Sequence, residues 1–445
     1  MRVHFIAIGG SAMHNLALAL HSKGYQVTGS DDEIYDPSRS RLEHEGLLPT
    51  EYGWFPDKIS TNIDAIILGM HARANNPELL KAQKLGLKIY SYPEFIAEQS
   101  INKKMVVIAG SHGKTTTTSI ILHVLKTRNI DFDYLVGAQI EGFERMVRLS
   151  DAPLMIIEGD EYLSSPIDRR PKIAHYDPDI AVITGVAWDH INVFPTYENY
   201  EDQFRQFIVK MKSDSKLIYF KLDDSLVKIL NENGHHCSVA SFDKIELSAN
   251  KKAVFSETEY SIPLIGTHNM QNIKAAEQVC LELGLSIDDF YDALSSFSGA
   301  AKRLQVIKIG QGNVGNVYLD FAHAPSKVRA TTTSVKEWFE KETLTVFFEL
   351  HTYSSLNVEF LPQYKDALEK ADRAIVFFND HAIAMKKMKP LDKEFVKECF
   401  DHSNISVASS KQELMEYVNG VDFSNGNTIF MTSGNFDKLD FNKIL

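Results

Sequence analysis

At 445 residues the chain is too long for one hydrophobic core and predicts two to three domains. Its 44% apolar and 24% charged content are those of an ordinary soluble globular protein. The net charge of −12 is spread along the sequence, which excludes a general nucleic-acid binder but leaves room for a local basic pocket that holds phosphates.

The N-terminal MRVHFIAIGG enters a strand-like run directly, without the basic region, apolar stretch and cleavage site of a secretory leader. Short β-branched runs then alternate with helix-length amphipathic segments, predicting an α/β protein with mainly parallel sheets. Residues 1–101 form the first expected domain, Rossmann-like, with strands in VHFIAIGG, QVTGSD, AIILGMH and KIYSY. Gly9 and Gly10 at the end of its first strand leave room for a diphosphate, and Asp31 at the end of the second is placed to meet a ribose hydroxyl. An NAD site would present the same glycine loop. The polar stretch Gln99–Lys104 reads as the linker to a second domain, residues 102–301, with strands in MVVIAG, LMIIEG, IAVITG and KLIYF. A third, Rossmann-like domain over residues 302–445 runs through VYLDFAH, TVFFEL, RAIVFF, ISVAS and IFMTSG. The longest apolar runs, such as Met105–Ala109 and Leu154–Ile157, are far too short to span a bilayer. Cys237, Cys280 and Cys399 are isolated and read as buried thiols in a reducing cytoplasm.

The sharpest motif is Gly110-Ser-His-Gly-Lys-Thr-Thr116, between an apolar strand and a helical run. Glycines let backbone N–H groups turn toward phosphate oxygens, the helix N-terminus adds positive potential, and Lys114 neutralises developing charge. Thr115 is the hydroxyl expected on Mg²⁺. The usual first glycine of such a loop is Ile108 here. Glu158 ends the strand LMIIE and Asp189-His190 follow IAVIT, so Glu158 and His190 should converge with the loop at the carboxyl ends of parallel strands as a metal site.

Together these residues resemble the Mur ligase family. The loop matches its G-T-H-G-K-T-T, Glu158-Gly-Asp-Glu161 its E-x-D-E box, and Asp189-His190 its D-H pair. His268–Ala276, Lys302-Arg303-Leu304 and Asp320-Phe-Ala-His-Ala-Pro325 match three further motifs in family order. The resemblance implies ATP and Mg²⁺ as cofactors, with Lys114, Glu158 and His190 catalytic and Thr115, Glu158 and His190 on the metal. It places Gly110, Ser111, His112, Gly113, Lys114, Thr115, Thr116, Asn272, Arg303, Asp320 and His323 around the nucleotide. The implied reaction is phosphorylation of a carboxylate by ATP, then displacement of phosphate by an amine.

The first domain resembles that of members accepting UDP-N-acetylmuramate, whose G-I-G-G-x-G-M loop appears as Ala7-Ile-Gly-Gly-Ser-Ala-Met13. Gly9, Gly10, Ser11, Ala12, Met13 and Asp31 are the implied UDP-sugar residues. Phe204 stands where some members carry a carbamylated lysine, so no carbamate is expected. Two branches share this acceptor. Asp160-Glu-Tyr162 and Asp168-Arg-Arg-Pro-Lys-Ile-Ala-His-Tyr-Asp-Pro178 resemble the branch that adds a recycled murein tripeptide, L-alanyl-γ-D-glutamyl-meso-diaminopimelate. The L-alanine-adding branch carries P-H-R-Y-x-R where this chain has Leu350-His-Thr-Tyr-Ser-Ser355, Thr352 and Ser355 replacing the arginines. The tripeptide is therefore the expected amine, with Arg169, Arg170, Lys172 and His351 as its expected contacts. L-alanine is the alternative, and a nucleotide-binding regulator with a dead site is the remote one.

Overall fold

The computed structural model describes residues 1–189, 193–232, 234–310 and 315–444. The chain divides into two compact units, Met1–Asp243 with Lys274–Phe297, and Lys244–Ile273 with Ser298–Leu445. As the alternation predicts, the architecture is α/β with mostly parallel sheets.

In the first unit, β1 (Arg2–Ile6), β2 (Gln26–Ser30), β3 (Ala65–Leu68) and β4 (Ile89–Ser91) form a parallel sheet of order β2-β1-β3-β4. Val3–Ile6 and Ala65–Leu68 are wholly buried, as expected of strands covered on both faces. A seven-stranded sheet follows, made of β5 (Lys104–Ala109), β6 (Asp133–Leu135), β7 (Val147–Arg148), β8 (Leu154–Glu158), β9 (Ile180–Ile183), β10 (Lys216–Phe220) and β11 (Ser238–Phe242). Its order is β11-β10-β9-β5-β8-β6-β7, and only the β6–β7 pair is antiparallel. From β5 the chain builds one side of the sheet and then crosses back to lay β9 on the other. The crevice at the carboxyl ends of β5 and β9 is thus a topological switch point, where open α/β sheets take their ligands. Phe5, Leu16, Val107, Ile157, Ile183 and Tyr200 belong to one apolar core, and each fully buried aliphatic or Phe side chain in it stabilises the fold by roughly 1.5–3 kcal/mol.

The second unit has a small hairpin, β12 (Ala253–Phe255) and β13 (Thr258–Tyr260), and a six-stranded sheet. That sheet comprises β14 (Gln305–Lys308), β15 (Val317–Asp320), β16 (Leu344–Glu349), β17 (Arg373–Phe377), β18 (Ile405–Ala408) and β19 (Asn427–Met431). Its order is β14-β15-β19-β16-β17-β18, parallel except for β14. Phe347 on β16 stacks on Phe430 of β19 with ring centroids 4.6 Å apart. No helix among the described residues is long and apolar enough to cross a membrane.

Candidate active site

The phosphate loop starts where β5 ends. Ile108 lies in β5, opposite Glu158 and Val182, so the usual first-glycine position falls inside the buried strand and the turn begins at Gly110. Gly110 has φ +121°, and a Cβ there would lie 2.3 Å from Thr184 Oγ1. Gly113, at φ +81°, starts the helix Lys114–Thr127 without any side-chain cap, which leaves first-turn N–H groups for an anion. Thr184 Oγ1 donates to the His112 carbonyl and so ties the loop to the end of β9.

Lys114 Nζ donates to Glu161 Oε2 (2.7 Å) and to the Gly110 carbonyl (2.5 Å). Burial would pull this ammonium down, yet the charges of Glu161, Asp160 and Glu158 hold it above its ordinary value, so it stays protonated at neutral pH. Thr115 Oγ1 donates to Glu158 Oε1 (2.7 Å), and Gly137 N–H donates to Glu158 Oε2 (2.6 Å). A hydroxyl beside a fixed carboxylate is the hard-oxygen pair that suits Mg²⁺. His190, the third expected ligand, lies outside the described residues with Ile191 and Asn192. Thr116 is buried in the first turn of the helix. Phe204 is buried edge-on against Tyr200.

At the first sheet, Ala7 takes φ +70°, a conformation that favours glycine, so the position keeps the backbone of the motif without its residue. Gly10 precedes the helix Ser11–Ser22 and offers no side-chain cap, while Met13 is buried and Ser11 and Ala12 are exposed. Asp31 has a partner within the protein. Its Oδ2 accepts from Gly9 N–H (2.7 Å) and the residue is buried, so its carboxylate braces the glycine loop from behind. Burial pushes the Asp31 carboxyl up to about 6, against the opposing pull of the Gly9 bond. Since the folded value lies above that of an unfolded aspartate, the folded chain holds the extra proton between pH 4 and 6, and stability from this group falls as pH rises through that window. Denaturant melts across pH 4–7 should show Asp31→Asn lacking this falling component; an identical pH slope in both proteins would refute the assignment.

The segment after β8 docks on the helix Tyr92–Gln99. Ser91 and Glu94 form a capping box there, and Glu94 Oε1 faces Arg170 at 3.4 Å. Arg170 also holds Asp168 (2.7 Å), and His175 joins through Ser164 Oγ (2.9 Å) and Asp168 (3.3 Å). Glu94, Asp168 and His175 offer atoms within 4.8 Å of one another, but the guanidinium in the cluster already balances its charge, so it reads as a latch. Lys172 is paired with Asp160 (2.5 Å). Arg170 and Lys172, expected to meet the amine's carboxylates, are thus engaged by acids of their own unit, while Arg169 is exposed.

In the second unit, Asn272 is buried and donates to Asn269 Oδ1 (3.2 Å). Arg303 lies over the Phe321 ring, 4.8 Å from its centroid. Asp320 Oδ2 accepts from Leu304 N–H (2.7 Å) and Oδ1 from Ala322 N–H (2.8 Å) and Thr331 Oγ1 (3.2 Å), so this carboxylate shapes the turn that presents Arg303. His323 Nδ1 bonds the Phe321 carbonyl (3.0 Å). At the end of β16, His351 Nδ1 stands 3.7 Å from Glu349 Oε1, and the other Glu349 oxygen accepts from Thr432 Oγ1 and Phe436 N–H (2.9 Å). Burial would raise the Glu349 carboxyl, but His351 and these donors hold it below its ordinary value. Glu161, Tyr200, Gly137 and Glu349 were not assigned roles from sequence. Only Glu161 carried a signal, as the last residue of its acidic box.

Sequence profiles described as Mur ligase family, catalytic domain, and Mur ligase middle domain match residues 2–104 and 108–280. The UDP-N-acetylmuramate–L-alanine ligase of Desulforamulus reducens is 31% identical, over 79% of this chain and 77% of its own. The UDP-N-acetylmuramate:L-alanyl-γ-D-glutamyl-meso-diaminopimelate ligase of Neisseria meningitides is similar in structure, with TM-score 0.61 and 26% identity over 66% of this chain and 98% of that one. The UDP-N-acetylmuramate–alanine ligase of Thermotoga maritima shares the fold, with TM-score 0.71 and 21% identity over 98% and 97% of the two chains.

Proposed function

The chain belongs to the Mur ligase family of ATP-dependent amide-forming ligases, and from that premise we propose that it joins UDP-N-acetylmuramate to the murein tripeptide L-alanyl-γ-D-glutamyl-meso-diaminopimelate. A carboxylate is a poor electrophile at neutral pH. Transfer of the ATP γ-phosphoryl group to one of its oxygens releases ADP and gives an acyl phosphate. The tripeptide's α-amine then attacks the acyl carbon, phosphate leaves, and the amine gives up a proton. Lys114 and the N–H groups of the loop bind and orient the transferring phosphoryl group, Arg303 and Asn272 contribute to nucleotide binding, and the loop at Gly9–Met13 holds the UDP diphosphate. Thr115 and Glu158, with His190, would hold Mg²⁺, which supplies charge neutralisation on the phosphates.

The amine assignment rests on the corner that follows β16. Thr352 Oγ1 donates to Ser355 Oγ (3.0 Å) and Ser355 is buried, so the corner is closed by a small polar turn at the two positions where arginines would clamp a free amino acid. The tripeptide-ligase likeness of the 160–178 segment supports the same reading. L-alanine is the second reading, favoured by the names of the sequence relatives. ATP and UDP-sugar substrates and three buried free cysteines suit a cytoplasmic enzyme.

The first half-reaction can be tested without any amine substrate. Hydroxylamine intercepts acyl phosphates, so ATP, Mg²⁺, UDP-N-acetylmuramate and hydroxylamine should give a hydroxamate together with ADP. ADP formation that ignores the sugar nucleotide, with no hydroxamate, would contradict the reaction.

A further inference from the structure

Five polar groups in the first unit form a hydrogen-bond chain that links Ala187 to the phosphate-loop lysine, with donors converging on Glu161 from both sides. Ala187 N–H donates to Ser111 Oγ (2.7 Å), and Ser111 Oγ lies 2.7 Å from Tyr200 Oη. Tyr200 Oη is 2.9 Å from Glu161 Oε1, and Glu161 Oε2 is 2.7 Å from Lys114 Nζ. The proton positions follow from chemistry. A carboxylate only accepts, so the single phenolic proton of Tyr200 goes to Glu161, and Ser111 must donate its own to Tyr200. Burial pushes the Tyr200 phenol well above its usual range, so that proton stays in place. Phe194 and Phe204 pack edge-on against the Tyr200 ring at 5.5 and 5.4 Å, and Glu161 is 1% exposed, leaving neither side chain room to rotate away.

We propose that Tyr200 is a positioning residue for phosphoryl transfer, acting through Glu161 to fix the Lys114 ammonium in the phosphate loop. Lys114 carries three N–H groups. Two are committed to Glu161 and the Gly110 carbonyl, which leaves the third for a phosphate oxygen. The ammonium is therefore presented in one orientation, and that orientation depends on where Tyr200 holds the Glu161 carboxylate. The same chain fastens Ala187, at the start of the segment leading to Asp189, to the loop residue Ser111. The lysine and the start of that segment thus share one reference point.

This inference rests on the phosphate loop holding ATP, and a mutant cycle separates the two ideas. Binding of adenylyl imidodiphosphate with Mg²⁺ is measured by calorimetry for the unmodified protein, Tyr200→Phe, Lys114→Ala and the double variant. Tyr200→Phe keeps the ring and removes one hydrogen bond to a charged group, so affinity should fall about tenfold in the unmodified background and kcat about 10- to 100-fold. In the Lys114→Ala background the same change should have no further effect on affinity. An equal loss in both backgrounds would show a merely structural tyrosine, and no loss in either would show an idle one; both overturn the proposal. Ser111→Ala, which cuts the chain one bond earlier, gives the same cycle should Tyr200→Phe unfold. An unmodified protein that binds no nucleotide analogue would overturn the phosphate-loop reading and this inference together.

Discussion

Lys114→Ala should reduce ligation by about 10³-fold or more while UDP-N-acetylmuramate binding stays within a few-fold of normal. Lys114 stands in the phosphate loop that follows β5, whereas Gly9–Met13, proposed for the sugar nucleotide, follow β1 in a different sheet. Its charge acts where negative charge develops, in a buried setting that strengthens the interaction. The substitution has a second consequence. Glu161, 1% exposed, loses its ion-pair partner, and an uncompensated buried charge costs about 3–5 kcal/mol. Stability should therefore fall with activity, and Glu161→Gln added to Lys114→Ala should recover much of the stability but none of the activity. Calorimetric titration of UDP-N-acetylmuramate into the single variant is the decisive check. Loss of sugar-nucleotide binding alongside ligation, in a variant that remains folded, would contradict the division of labour between the two loops.

The parts of the site readable in sequence are those that local geometry enforces. A strand, a glycine that must take positive φ and a helix start lie within a few residues, so Gly110 and Gly113 announce the phosphate loop unaided. Six of the seven strands in the central sheet run parallel to one another, and β5, β8 and β9 are written as largely apolar runs. The short antiparallel partner Val147–Arg148 and the polar edge strand Ser238–Phe242 carry no such signature.

Partners joined over long separations were not legible. Ser111 meets Tyr200 across 89 positions, and Tyr200 meets Glu161 across 39, so nothing local links them. The local partners of charged side chains are hidden for a related reason. Sequence shows that Asp31, Arg170, Lys172 and Asp320 exist in suggestive places, but not which nearby donor or acid claims them first. Burial decides for Asp31, which accepts from the Gly9 N–H, and for Asp320, which accepts from the N–H groups of Leu304 and Ala322. Local acids decide for Arg170 and Lys172.

The identity of the amine depends on how the nucleophile is positioned. Free L-alanine and the tripeptide offer the same α-amino group to the acyl phosphate, so the chemical step cannot tell them apart and selection must come from remote contacts that position the nucleophile. The alanine carboxylate lies close to its amine, where Thr352 and Ser355 supply hydroxyls already bonded to each other. The tripeptide bears further carboxylates. Arg170 and Lys172 are engaged by acids of their own unit, and we propose Arg169, which is exposed, and His351, backed by Glu349, as groups that meet these carboxylates. A charge-assisted contact contributes on the order of 1.5–3 kcal/mol, so two would favour the tripeptide by roughly a hundredfold or more. The direct measurement is kcat/KM for both amines, with ATP, Mg²⁺ and UDP-N-acetylmuramate saturating. A ratio of about 100 or more in favour of the tripeptide is expected; equal values, or a preference for L-alanine, would overturn the tripeptide assignment and point to L-alanine addition.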